Sequence, residues 1–306
     1  MPASSSRRDV LKLMGVAGVV FSSGLAGAAG AAAEAQRKKK SSLDSEFFFL
    51  QLSDPHWGYS GVSNPEADVT LPKAVSTING VAARPDFIVF TGDLTHNTDD
   101  AGIRRRRMGE FKKIVGDLKV KSLHLMPGEH DAAKDGGAAY RETFGATYHA
   151  FDHKGVHFVA LDNVSDPTGA VGQAQIDWLA ADLKKRPREA PIVVFTHRPL
   201  FDLSPEWDWD TKDGAKVIDV LLPHPHVTVF YGHIHQEHHH RTEHIAHHAA
   251  RSLIFPLPAP GSVPKKAPLA WDPSAPFRGI GYRQIEATGA EGAGKLTELP
   301  VVGSPA

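Results

Sequence analysis

Five short, mainly apolar runs, each closed by small and chemically reactive residues, set the pattern of this chain. Phe47 to Leu52 runs into Ser53-Asp54-Pro55-His56, Phe87 to Phe90 into Thr91-Gly92-Asp93, and Leu123 to Met126 into Pro127-Gly128-Glu129-His130-Asp131. Ile192 to Phe195 ends in Thr196-His197, and Val227 to Tyr231 ends in Gly232-His233-Ile234-His235. Runs of this length, stopped by Gly, Pro or polar clusters, predict short buried strands. Their carboxylates and imidazoles should then gather at one edge of a sheet, the C-terminal edge, where open α/β folds bind ligands.

Helical patterns lie between these runs, over Leu71 to Ala82, Arg104 to Lys119, Gln173 to Lys185 and Asp213 to Leu222. In the third, Ile176, Leu179, Ala180 and Leu183 recur at helical spacing and mark one buried face. Thr147 to Asp152 and Val156 to Asp162 read as a hairpin, and Gly279 to Ala287 and Lys295 to Val302 as closing strands. The alternation predicts an α/β fold, a mixed sheet covered by helices. Residues 236–278 break it as an insert: Gln236 to Phe255 is histidine-rich with strand-like patches, and Pro256 to Pro276 holds seven prolines in a long irregular loop.

Composition narrows the chemistry. With 306 residues, 41% hydrophobic and 23% charged, the chain suits one large domain or two small ones. A net charge of -1 gives no reason to expect a nucleic-acid partner, and the lack of cysteine excludes disulfides, thiolate metal sites and cysteine nucleophiles. Ten of the 18 histidines fall between His224 and His248.

The N-terminus reads as a targeting segment. Residues 1–35 contain Ser6-Arg7-Arg8-Asp9-Val10-Leu11-Lys12, a Gly/Ala-rich apolar stretch from Leu13 to Ala33, and Ala33-Glu34-Ala35. This resembles a twin-arginine export signal with its cleavage site, the alternative being an uncleaved membrane anchor. Cleavage leaves no stable membrane insertion and a periplasmic or otherwise extracytoplasmic protein, exported folded. Residues 36–45 form a linker, and the folded domain spans 46–306.

Mixed oxygen and imidazole donors without sulfur suit manganese, iron or zinc. His233 and His235, two residues apart, would point to opposite faces of a strand, so they share a site only in a bent loop. In order and spacing, Asp54-x-His56, Gly92-Asp93, Gly128-Glu129-His130-Asp131, His197 and Gly232-His233-Ile234-His235 resemble the calcineurin-like metallophosphoesterases. The likeness runs from about Phe47 to His235 and takes in Gln175-Ile176-Asp177-Trp178-Leu179. It implies a four-layer α/β/β/α sandwich of two mixed β-sheets flanked by helices. It also implies two metal ions, one on Asp54, His56, Asp93 and His235, the other on Asp93, Glu129, His197 and His233, with Asp93 the bridge. Such a pair, about 3.5 to 4 Å apart, activates a bridging hydroxide for attack on a phosphoryl group. His130 would stabilise the transition state or protonate the leaving oxygen.

The chain departs from that family in two places. Glu129 stands where the family has asparagine, so two divalent ions facing Asp54, Asp93 and Glu129 leave a formal +1 rather than +2. A ferric ion beside Fe2+, Mn2+ or Zn2+ would restore the charge. His96 stands where many relatives carry an aspartate that orients the catalytic histidine and where purple acid phosphatases carry a metal-bound tyrosine; it is a ligand, an orienting group, or neither. Arg198 is a candidate contact for a substrate phosphate, and Asn97 and Asp131 are candidates for supporting the ligands from outside.

Other clusters read more plainly. The Arg104 to Arg107 run reads as a solvated helix face. His124, His149, His153 and His157 read as structural. Gln236 to His240 with His244, His247 and His248 is either a separate transition-metal site or a solvated strand edge. The expected activity is hydrolysis of small-molecule phosphodiesters or phosphomonoesters, diesters slightly favoured because the lowered site charge handicaps a dianion more. The alternative is a catalytically weakened metal-binding or sensory protein on the same fold.

Overall fold

The computed structural model describes residues 46–301; the segments expected to be an export signal and a linker lie outside them. Its elements are β1 (Phe47–Leu52), α1 (Ala67–Gly80), β2 (Ile88–Thr91), α2 (Ala101–Val115), β3 (Leu123–Met126), α3 (Glu129–Ala132), α4 (Ala138–Phe144), β4 (His149–His153) and β5 (Val156–Ala160). They continue as α5 (Gln173–Leu183), β6 (Ile192–Phe195), α6 (Gly214–Leu221), β7 (Val227–Tyr231), β8 (His238–Thr242), β9 (Ile245–Ala249), β10 (Gly281–Thr288) and β11 (Gly292–Pro300).

These strands form two mixed sheets, ordered β11-β10-β1-β2-β3 and β4-β5-β6-β7-β9-β8. The alternation of side chains along each strand sorts them into separate cores. Phe49, Val89, Val193 and Phe195 point into the space between the sheets, where Phe49 meets Phe158, Phe195 and Phe230 edge-on at 5.6, 6.0 and 6.1 Å. Leu50, Leu52, Ile88 and Phe90 point the other way, onto Leu71, Met108 and Phe111 of α1 and α2. Val159, Ile192 and Val194 do the same against α5 and α6. Strands buried on both faces need no polar alternation, which is why they read as apolar runs.

The expectation of a single sheet edge is corrected here. β1, β2 and β3 belong to one sheet and β6 and β7 to the other, and their C-terminal ends converge. An apolar run reports burial on two faces but not which sheet the strand joins. The strand-like patches of the histidine-rich half of the 236–278 insert are β8 and β9, which form a hairpin, with β9 pairing parallel to β7. The chain then runs irregularly back to the first sheet, tied by Leu253 N–H to Ser53 O at 2.9 Å.

The arginine run is a solvated face only in part: Arg105 and Arg106 are exposed, Arg104 and Arg107 are not. Arg104 is buried, 2.8 Å from Asp135 and donating to Thr98 O at 2.9 Å. Arg107, one turn on, donates to the carbonyls of His96 and Asn97 at 2.8 and 3.0 Å. Two of the four guanidiniums therefore hold the loop after β2, and Arg105 pairs with Glu142. Among the described residues no helix is long and apolar enough to cross a membrane.

Candidate metal centre

The loops that follow the strands hold unusual backbone. Asp54, His56, Asp93, His233 and His235 all have positive φ, between 44° and 65°. Left-handed backbone is uncommon for non-glycine residues and tolerated best by Asp, Asn and His. Here it turns each side chain back over the strand ends. The neighbouring glycines are required by close approach: a Cβ on Gly128 would overlap the Asp93 carboxylate and backbone nitrogen, and one on Gly232 would overlap Ser53 Oγ.

The donor atoms fall into overlapping groups that could each hold an ion: Asp54, His56 and His235; Asp93, Glu129, His197 and His233; and His56, His96 and His130. Asp93 Oδ2 lies 3.3 Å from His56 Nε2 and 3.5 Å from His197 Nε2, between the first two groups. As the bent-loop reading required, His233 and His235 enter different groups.

Three of the imidazoles are aimed by the main chain. His197 Nδ1 donates to Thr91 O at 2.7 Å, His233 Nε2 to Asp208 O at 2.8 Å, and His235 Nδ1 to Phe255 O at 2.8 Å. In a neutral ring each donation leaves the other nitrogen as a lone pair facing the cluster, the arrangement that orients metal-binding histidines. His56 differs: its outer nitrogen faces His96 Nδ1 at 3.3 Å. His96 thus stands where the other ligand-like histidines have a carbonyl, and its ring lies 4.9 Å from that of His130.

The electrostatics favour cations. Burial would raise Asp54, but His235, His197 and Ser53 hold it below the usual carboxylate range. Burial and Glu129 would raise Asp93, yet His130, His197 and His56 bring it down to about 2. Burial would lower His197, but Asp93 and Glu129 push it well above its ordinary value. His197 Nε2 and Glu129 Oε2 are buried and 2.8 Å apart without the alignment of a hydrogen bond, both directed at the same space. Glu129 Oε1 lies 2.9 Å from His233 Nδ1. Buried oxygen and imidazole groups that converge without hydrogen-bond partners fit a borderline divalent or trivalent ion, which would take the place of the His197 proton.

The surrounding residues divide by how they act. Asp131 accepts from Gly128 N–H at 2.9 Å and from Leu94 N–H, Thr95 N–H and Thr95 O–H at 2.8 Å, locking the two loops together. Burial and the Asp93 charge push its carboxyl up to about 7 against those donors. Asn97 contributes through its backbone, since its side chain is exposed. Its N–H donates to His130 Nδ1 at 3.2 Å, which leaves the proton of a neutral His130 on Nε2, 3.9 Å from Asp93. Arg198 is buried, 2.8 Å from Asp208 and 3.8 Å from Glu129.

Lys266, in the proline-rich loop, carried no motif and was not legible from sequence. Its Nζ donates to Trp207 O at 2.6 Å, beside the Asp208 that anchors both Arg198 and His233. Burial lowers its pKa, while Glu129 and Asp208 raise it.

Two sheets joined at their strand ends, carrying paired carboxylate–imidazole clusters, define a metal-dependent phosphoesterase with donor groups suited to two ions. The chain belongs to the calcineurin-like phosphoesterase family, whose model matches residues 49–237. It is 29% identical to human serine/threonine-protein phosphatase CPPED1 over 227 residues, 65% of this chain and 72% of that protein. It is 27% identical to a probable cyclic nucleotide phosphodiesterase of Rhodococcus erythropolis over 208 residues, 61% of this chain and 64% of that protein. A dimetal phosphatase from Danio rerio has the same fold, with a TM-score of 0.55 at 14% identity, covering 84% of this chain and 99% of that one.

Proposed function

We propose that this chain is an exported hydrolase of small phosphoesters, acting on diesters in preference to monoesters at a dinuclear centre. The observation that carries the reading is the position of Asp93 Oδ2, within 3.3 Å of His56 Nε2 and 3.5 Å of His197 Nε2, where one carboxylate reaches both donor groups. Asp54, His56, Asp93 and His235 would hold one ion, and Asp93, Glu129, His197 and His233 the other. The ions would neutralise phosphoryl charge and make water acidic enough to serve as nucleophile.

The chain's own residues do the rest. His130, with its proton on Nε2, donates to the leaving oxygen, and the Asn97 N–H fixes that tautomer. His96 keeps the His56 ring in register from outside. Arg198 and Lys266 supply positive charge beside Glu129 for the substrate's remaining phosphate oxygens. Glu129 lowers the charge facing the substrate, which handicaps a dianionic monoester more than a monoanionic diester. A ferric ion paired with Fe2+, Mn2+ or Zn2+ is the metal content that offsets Glu129 best. The similarity to a protein named as a cyclic nucleotide phosphodiesterase agrees with the diester preference.

The test is hydrolysis of paired chromogenic mono- and diesters by the chain loaded in turn with manganese, zinc and iron. Turnover that disappears in His130→Ala while metal content holds supports the reading. No turnover with both sites filled refutes it. For export, replacing Arg7 and Arg8 together by lysine should keep the protein in the cytoplasm; unchanged export would exclude the twin-arginine route.

A further inference from the structure

The β8–β9 hairpin shares no residue with the metal centre, yet its two strands carry His238, His239, His240, His247 and His248. The antiparallel register sets His239 directly opposite His248 and His240 opposite His247. The second pair has no use as an open site. The His240 ring lies flat on Phe201 at 3.8 Å, and His247 is fully buried.

The first pair is different. His239 Nδ1 and His248 Nδ1 are 2.7 Å apart, and the His239 side chain is half exposed. Glu237 Oε1 lies 3.3 Å from His239 Nε2, while its other oxygen is held 3.2 Å from Arg251. A carboxylate accepting from Nε2–H leaves Nδ1 as a lone pair, which is how outer carboxylates prepare histidine for a metal.

We propose that His239 and His248 form a separate two-imidazole site for a divalent transition ion, copper(II) or nickel(II) in preference to zinc. The separation sets the preference. Two nitrogens at about 2.0–2.1 Å from one ion lie about 2.9 Å apart at a right angle and about 3.4 Å apart at the tetrahedral angle. The observed 2.7 Å opens by a few tenths of an ångström to reach the first and much further to reach the second. Square-planar and tetragonal geometry belongs to copper(II) and nickel(II), tetrahedral to zinc. Without the ion, the short contact is a hydrogen bond in which His248 Nδ1–H donates to His239 Nδ1; binding the ion moves that proton to His248 Nε2 and frees both Nδ1 lone pairs. Waters complete the coordination on the exposed side.

The experiment uses the full chain with its dinuclear centre filled with zinc and excess zinc removed, titrated with copper(II) and followed by electron paramagnetic resonance. One copper per chain should bind with coupling to two imidazole nitrogens and without release of zinc. His239→Ala and His248→Ala should each weaken that binding at least about tenfold, and Glu237→Gln by about 10- to 100-fold. His239→Gln, made at an exposed position, should melt with the wild type and keep its ester turnover, separating loss of a ligand from loss of the fold. Copper uptake unchanged in His239→Ala and His248→Ala, or matched mole for mole by released zinc, would overturn the proposal.

Discussion

Replacing Glu129 by asparagine tests the charge argument most directly. The substitution removes one negative charge whose oxygens lie 2.8 and 2.9 Å from His197 and His233, the atoms that would face the second ion. With about 5 Å from that carboxylate to a bound phosphoryl group and an effective dielectric of about 20, each unit of substrate charge feels about 3 kcal/mol. Arg198, 3.8 Å from Glu129, offsets part of this charge already; halving the interaction leaves about 1.5 kcal/mol, a factor of about ten. A phosphomonoester carries one more negative charge than a diester, so the variant should gain selectively on monoesters. The ratio of kcat/KM for a monoester to that for a matched diester should rise about tenfold. Both are measured with the same aryl leaving group, alongside metal content by elemental analysis. An unchanged ratio with two metals still bound would refute the charge account of diester preference.

Three further outcomes follow from the geometry. His130→Ala should lower turnover by about 10²- to 10⁴-fold with metal content unchanged, as removal of a proton donor does; parallel loss of metal would instead make His130 a ligand. Gly128→Ala should cost both metal content and thermal stability, because the added methyl overlaps Asp93; a variant that binds metal and melts like the parent would contradict the close packing. Burial and like-charged neighbours lower His124 and His247 to about 4 from the usual 6.5, so in that window the unfolded chain binds more protons and stability rises with pH. Each should remove up to about 1.4 kcal/mol per pH unit as pH falls from 6.5 toward 4. His124→Phe, which keeps the ring stacked on Phe151, should flatten the fall in urea midpoint between pH 7 and 5, and an identical slope would exclude His124 as a source.

Much of the architecture could be read from spacing because the punctuation was strong. β3, β6 and β7 begin and end on the expected residues, each stopped by Pro-Gly, Thr-His or Gly-His. β2 runs from Ile88 to Thr91, one residue later than its apolar run, although Phe87 stays buried and stacks on Phe49 at 4.6 Å. α1 starts at Ala67 rather than Leu71 and runs through Pro72, which lies inside the helix and forgoes the bond to Asp68 O that an N–H there would make. The four-residue α3 and seven-residue α4 are too short to show a helical period. β8 and β9 fall inside the histidine-rich stretch that reads as strand-like, though composition alone did not mark their ends.

The candidate ligands were legible as an ordered set at strand ends, while their division between two groups rested on resemblance. What no pattern carried were contacts made by the main chain or by isolated cations: the Asn97 N–H on His130, the carbonyls behind His197, His233 and His235, and Lys266 reaching in from a distant loop. The arginine run was legible only for Arg105 and Arg106, because charge in sequence gives no orientation and a helix turns Arg104 and Arg107 to the same inward side.

The left-handed backbone at Asp54, His56, Asp93, His233 and His235 also limits how this site can evolve. At those five positions most replacements meet a steric penalty before any change in metal affinity is felt, and the side chains that escape it, Asp, Asn and His, are themselves donors. Drift there exchanges one ligand for another and seldom removes one. Glu129 is free of that filter: it opens α3 in ordinary helical backbone, where a longer side chain carries no conformational penalty. It is a site where a lineage can retune the charge of the centre by a single substitution while the scaffold stays as it is.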